Sequence, residues 1–305
     1  MPLEPGSTSI PEFHIKLRNS RRILALCGAG LSVASGLQTF RTPGGLWTNE
    51  QADELASPEK FETDPDLVWL FYSHRRHAAL QVAPNPGHRA LAELAQKRPE
   101  FLCLTQNVDG LSPRAGHPKE QIRMLHGSLF DLKCNDAGCG FVQRDNFDDP
   151  LCAALAPASA DLDGGLLSMP LLDPTQKIAH ISASELLHCP LCGTLLQPGV
   201  VRFREELDVK MLEEIGAWID EKSVDFVLVV GTAAEVWPAA GFVVQARKQG
   251  AALAVINTDT NNLGTARDLK HGDFFFIEDS AELLPKLLEP LATTTWGEAT
   301  RDGAN

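Results

Sequence analysis

Short apolar runs alternate with amphipathic stretches along most of this chain. "RILALCGAG" (22–30), "FLCLTQN" (101–107), "VDFVLVVGT" (224–232) and "ALAVINTD" (252–259) are aliphatic and end in polar or glycine-rich residues. Such runs predict buried strands that stop at loops. "FFFIED" (274–279) predicts an edge strand. Between them, residues 86–97, 208–221 and 238–249 carry apolar positions at helical spacing, and two of the three open with proline near the first turn. Alternation of this kind predicts an α/β fold: a Rossmann-like, mostly parallel sheet with helices on both faces. Ligands then bind at the carboxyl ends of the strands, where the four loops lie.

Two stretches break the pattern. Residues 42–85 read as helical, and residues 131–197 carry five of the seven cysteines together with the loop-like "CAALAPASADLDGGLLS". The division expected is a nucleotide-binding domain formed by 15–41, 86–130 and 198–292. A smaller inserted domain, helical and zinc-binding, takes 42–85 and 131–197, with flexible termini at 1–14 and 293–305. No run approaches the ~18–20 apolar residues of a membrane span. The first residues lack the apolar core of a secretory signal, so an intracellular protein is expected, with cytoplasm, nucleus and mitochondrion all open.

A net charge of −13 argues against broad nucleic-acid binding, which needs clustered Lys and Arg, and weakly favours basic partners. An odd cysteine count without a secretory signal favours metal ligation over disulfides. Cys134-x4-Cys139 and Cys189-x2-Cys192 supply two close thiolate pairs, the pattern of a closed structural zinc site. Cys152 and His188 are alternative ligands if one pair is misread. Cys27 and Cys103 lie inside apolar strands and read as core.

The loop "CGAGLSVASGLQTFR" (27–41) suggests a dinucleotide pyrophosphate on backbone amides. A hydride-transferring dehydrogenase would need a third glycine where Val33 stands, and an acid ending a second strand about 20 residues on. That region reads "GGLWTNEQADELA", which is not a strand. Hydride transfer is therefore disfavoured.

Five segments decide between the remaining uses of a nucleotide: "GAGLSVASGLQTFR", "TQNVDGL" (105–111), "LHGS" (125–128), "GT" (231–232) and "NTD" (257–259). They recur in this order in the sirtuins, NAD-consuming protein-lysine deacylases, which the chain resembles over roughly residues 15–290. The resemblance implies a Rossmann-like domain with a zinc-bearing small domain, and NAD and acylated protein lysines as substrates. Nicotinamide leaves as the acyl oxygen attacks the ribose, and the products are lysine and O-acyl-ADP-ribose. It places His126 as the catalytic base, with Asn107 beside it in catalysis. NAD is assigned to Gly28, Ala29, Gly30, Ser32, Phe40, Arg41, Gln106, Asn107, Asp109, Gly231, Thr232, Asn257 and Asp259. Val200, Val201 and Phe203 match the strand that pairs with substrate.

Tyr72 and Arg75 stand three apart in a helical stretch, so they share a face, where a phenol and a guanidinium make a carboxylate receptor. Tyr-x-x-Arg preceded by a small residue, here Ala56, resembles the sirtuin subgroup that removes malonyl, succinyl and glutaryl groups. Two departures matter. "VVRFREEL" (200–207) has Arg202 for an aromatic and Arg204 for a glycine, which would either narrow the cleft or recruit an acidic substrate. Ala233 replaces a serine near the nucleotide, a loss worth ~1 kcal/mol. The alternatives are an NAD-binding sensor with little turnover and a protein mono-ADP-ribosyltransferase. A zinc-finger nucleic-acid binder is least favoured by the charge.

Overall fold

The computed structural model describes residues 6–39, 50–159, 180–259 and 264–292. Six parallel strands form the main sheet: β1 (Ile23–Cys27), β2 (Phe101–Thr105), β3 (Ile122–Met124), and three strands that follow a smaller sheet in the chain. That smaller, antiparallel sheet holds β4 (Gly127–Cys134), β5 (Val142–Gln143) and β6 (Leu196–Val200), in the order β5-β4-β6. The main sheet resumes with β7 (Phe226–Val230), β8 (Ala252–Ile256) and β9 (Phe274–Phe276), and its order is β3-β2-β1-β7-β8-β9. β1 lies between β2 and β7, so the chain reverses its direction of winding there, which opens a crevice beyond the carboxyl ends of the two strands.

The helices are α1 (Ile10–Asn19), α2 (Glu50–Leu55), α3 (Pro58–Thr63), α4 (Pro65–Gln81), α5 (Pro86–Lys97), α6 (Leu111–Arg114), α7 (Val209–Glu221), α8 (Ala239–Lys248) and α9 (Ser280–Ala292). Where a loose terminus through residue 14 is expected, Ser9 caps α1 by accepting the Glu12 amide, and Phe13 and Leu17 are wholly buried. The turn after β1 is a seven-residue 3-10 helix (Ala29–Ser35), closed by Gly36 at φ 100°.

Central strands are buried at every position, which explains why they read as continuous apolar runs. One core, containing Phe13, Leu91, Leu94 and Leu284, covers one face of the main sheet, and a second, with Ile215, Ile219, Phe242 and Val243, covers the other. A third core binds α2–α4 to the small sheet through Phe61, Trp69, Phe71, Leu132 and Leu196, and the Trp69 indole donates to the Leu196 carbonyl at 3.0 Å. The two stretches that interrupt the alternation in sequence thus pack on each other. Among the described residues no helix is long and apolar enough to cross a membrane.

Candidate active site

The crevice is built from loops that touch back to back. A Cβ on Gly30 would stand 2.7 Å from the Gly231 Cα, and Gly231, at φ 61°, has no room for a side chain against the Leu31 amide. The Gly30 N–H donates to the Gly231 carbonyl at 2.9 Å, and the Gly28 N–H to Val230. These glycines therefore serve first to seat the β1 and β7 loops together. The Gly30 amide, expected at a pyrophosphate, is engaged within the protein.

Ser32, Asn107 and Asp109 form one hydrogen-bonded group. Ser32 Oγ donates to Asp109 Oδ2 at 2.7 Å and accepts from Asn107 Nδ2 at 3.2 Å, while Asn107 Nδ2 also donates to the Gly28 carbonyl at 3.0 Å. Both Asn107 N–H groups are thereby used, and what it has left for a ligand is an oxygen. A residue that sequence reasoning missed completes the group. His88 Nδ1 accepts the Asn85 backbone N–H as part of the cap of α5, so its Nε2 carries the proton and faces Ser32 Oγ at 3.4 Å. Burial pushes His88 down to about 4, so it stays neutral and keeps this tautomer. The capping pattern "NPGH" held the signal, but it reads first as helix chemistry.

His126 sits just before β4. Its Nδ1 lies 2.9 Å from the Gln106 carbonyl, which can only accept, so Nδ1 bears the proton and Nε2 is a base. Burial lowers its pKa below the usual 6.5, with the Gln106 contact opposing, which favours the neutral imidazole. The Gln106 side-chain oxygen accepts from Thr232 Oγ1 at 3.0 Å, joining the β2 and β7 loops. Asn257 and Asp259 follow β8, where the Asp259 amide donates to Asn257 Oδ1. Ala29 opens the 3-10 helix, half-buried. Ala233, short of a hydroxyl, has its carbonyl engaged by the Thr265 amide at 3.0 Å. Phe40 and Arg41 lie outside the described residues.

The expected acyl-binding residues converge from separate elements. Ala56 is buried between α2 and α3, and its carbonyl accepts the Phe203 amide at 2.9 Å. Val200 ends β6, and the Val201 amide donates to the His126 carbonyl at 2.8 Å, which ties this segment to His126. Tyr72 and Arg75 lie on α4 with the guanidinium 5.7 Å from the phenol ring. Burial pushes the Tyr72 phenol up to about 12, while the charge of Arg75 pulls the other way. Burial also lowers Arg75, and Tyr72 and Asp109 oppose that, so Arg75 lies within the field of both the phenol and the Ser32–Asp109 group. Its neighbour Arg76 is structural: it donates to the carbonyls of Leu129, Asn146 and Asp148 and lies over Phe130. Arg202 is buried, with its guanidinium over the Phe61 ring. Arg204 is exposed, paired with Glu59 at 3.2 Å, and held at φ 69°, a backbone conformation that suits glycine.

The four cysteine Sγ atoms of 134, 139, 189 and 192 lie within 4.8 Å of one another, with Cys134–Cys192 at 3.4 Å and Cys139–Cys189 at 3.6 Å. A zinc ion with Zn–S of ~2.3 Å sets thiolates ~3.8 Å apart, so the set fits tetrahedral zinc, and four protein ligands leave no open position. Cys152 and His188 are engaged with the Glu185 and Leu186 carbonyls instead. β4 separates His126 from Cys134 by eight residues, roughly 25 Å at strand rise, so a zinc held there would be structural and remote from His126.

The model of the Sir2 family matches residues 28–238. The chain belongs to the Sir2 family. Among its relatives is the NAD-dependent protein deacylase of Candida albicans, 41% identical over 92% of this chain and 97% of that protein. The mitochondrial NAD-dependent protein deacylase sirtuin-5 of Canis lupus familiaris is 38% identical over 83% of this chain and 78% of that one. In structure, this Sir2 chain resembles a Sir2 homologue crystallised as an NAD complex, with TM-score 0.75 and 29% identity over 95% and 96% of the two chains.

Proposed function

We propose that this Sir2 chain is an NAD-dependent protein-lysine deacylase that favours acyl groups ending in a carboxylate, such as succinyl, malonyl and glutaryl. The deacylase relatives support the activity. The sirtuin-5 relatives and the Tyr72–Arg75 pair support the acyl preference. The observation that carries the reading is the fixed tautomer of His126, whose Nε2 is left as a base and whose Nδ1 bonds Gln106, the residue just before Asn107.

NAD, as co-substrate, supplies a ribose carbon from which nicotinamide departs when the acyl oxygen attacks. Ala29, Gly28 and Gly30 would line the dinucleotide at the β1 loop, with Gly231 and Thr232 at the β7 loop and Asn257 and Asp259 at the adenosine ribose. Phe40 and Arg41 are assigned to the nicotinamide ribose. Ser32, Gln106, Asn107 and Asp109 orient that ribose and the nicotinamide amide. His126 then takes a proton from a ribose hydroxyl through Nε2, while the Gln106 carbonyl stabilises the imidazolium that results. Val200, Val201 and Phe203 would pair with the substrate backbone. Arg75 offers a fork of donors to the acyl carboxylate, with Tyr72 as a further donor and Ala56 leaving space for the longer group. We assign 15–41, 86–130 and 198–292 to the nucleotide domain and 42–85 and 131–197 to the small one; apart from Phe13, the two cores on the main sheet draw on the first set of residues, and most of the third core draws on the second, joined by Leu129, Phe130 and Val200.

The test is nicotinamide release from acetyl-, malonyl-, succinyl- and glutaryl-lysine versions of one peptide, with and without NAD. The acidic acyl groups should be turned over with higher kcat/KM, only with NAD, and Arg75→Met should abolish that preference while sparing weak deacetylation. Equal turnover of acetyl and succinyl peptides by the unaltered enzyme would overturn the acidic preference. So would an Arg75→Met enzyme that loses both activities alike.

A further inference from the structure

Beside the acyl-binding residues lies a cation that the mechanism above does not use. The Arg202 side chain is 3% exposed, and its guanidinium lies 5.2 Å over the ring of Phe61. Phe61 belongs to the apolar cluster that also holds Ala56, Tyr72 and Val200, with Phe203 packed against it. Nη2 donates to Glu205 Oε1 at 2.9 Å and to Gln197 Oε1, and the Arg202 backbone N–H donates to Glu205 Oε2 at 2.7 Å. Nε and Nη1 are buried and have no acceptor among the described residues. Unmet donors on a buried guanidinium are costly, and an incoming anion relieves that cost.

The local charge is also unbalanced. Glu205 serves two cations, because Lys133 Nζ stands 3.5 Å from its Oε2. Two positive charges and one negative leave the group at +1. The Tyr72 phenol, raised chiefly by burial, lies in the field of Arg75 and Arg202 together, and Glu205 opposes them. Two guanidiniums thus act on the phenol that would meet the acyl group.

The geometry points to Arg202 as a further specificity-determining residue: a second buried guanidinium, beyond Arg75, whose unmet donors and uncompensated charge favour acyl groups that end in a carboxylate. The inference rests on the deacylase reading. Glu205 then acts as a brake on that preference, since it holds Arg202 in place but subtracts from its charge.

The experiment compares kcat/KM for succinyl- and acetyl-lysine forms of one peptide in Arg202→Met, Arg202→Lys and Glu205→Gln enzymes, with thermal melts alongside. Peptide binding by fluorescence anisotropy gives the same ratio without turnover. Arg202→Met should lower the succinyl-to-acetyl ratio about tenfold, mainly through KM for the succinyl peptide, and Arg202→Lys should recover part of it. Glu205→Gln should raise the ratio. A purely structural Arg202–Glu205 pair would move both variants in the same direction, and that result, or a ratio unchanged in both, overturns the inference. If Arg202→Met fails to fold, Arg202→Lys and Glu205→Gln carry the test. Preference for acetyl in the unaltered enzyme overturns the acidic-acyl reading alone, because the direction of change in the variants reports on Arg202 independently.

Discussion

Ser32 is the junction through which His88, Asn107 and Asp109 hold one another, so Ser32→Ala is the most revealing single change outside the base. The hydroxyl makes one bond to a carboxylate at 2.7 Å and receives two others at 3.2 and 3.4 Å. A hydrogen bond to a charged group is worth about 1.5–3 kcal/mol. Asp109 and Asn107 are half-buried, so water replaces part of what they lose, whereas His88 is 1% exposed and recovers nothing. The net loss of stability is then about 1–2 kcal/mol, or about 2–3 °C in Tm for a chain of this length. The functional loss should be larger than the melt suggests, because Asn107 regains rotational freedom where its orientation was fixed. Nicotinamide release should fall about 10–100-fold, equivalent to ~1.4–2.8 kcal/mol in the barrier. His88→Ala should act on the same group, so the double variant should lose much less than the sum of the two. Steady-state nicotinamide release with varied NAD, paired with differential scanning fluorimetry, makes the comparison. If kcat/KM for NAD stays within about twofold of the unaltered enzyme while the melt shifts, the group is structural and the reasoning fails.

Three other outcomes follow from the geometry. His126 must be neutral to accept a proton, and burial lowers its pKa, so kcat/KM should rise with pH to a plateau with a midpoint below 6.5; a midpoint above 7 in the pH profile would contradict the assignment. Arg76→Met removes a guanidinium that binds three backbone carbonyls and should cost about 3 kcal/mol, or about 5 °C in Tm, with α4 displaced and acidic deacylation lost; an unchanged melt would refute its structural role. Elemental analysis should find one zinc per chain, and chelation or Cys192→Ser should unfold the small sheet and abolish turnover; full activity in a zinc-free protein would rule out the structural metal.

The central strands were legible because burial on both faces leaves uninterrupted aliphatic runs, and helix α5 because Asn85, Pro86 and Lys97 mark its ends. β3 was missed because three residues, Ile122 to Met124, are too few to show a period. Arg76 was hidden for the opposite reason. α4 is buried on nearly all sides, so its sequence shows no polar face, and "HRRH" resembles a solvated run although three of its four residues are buried. The four cysteines, brought together in the fold, and the His126 candidate were both legible from short-range motifs. His88 and Ser32 meet only because the turn after β1 and helix α5 are brought together across 56 residues, and no local pattern records that. Arg202 was recognised as a departure, but its burial depends on Phe61, Gln197 and Glu205 arriving from α3, β6 and the loop beyond.

The most direct measurement counts products from a succinyl-lysine peptide incubated with NAD and either the unaltered chain or His126→Ala. One nicotinamide should appear for each lysine freed, and His126→Ala should lower lysine release by about 10² or more. Lysine release that proceeds without NAD, or at an undiminished rate in His126→Ala, would contradict the account.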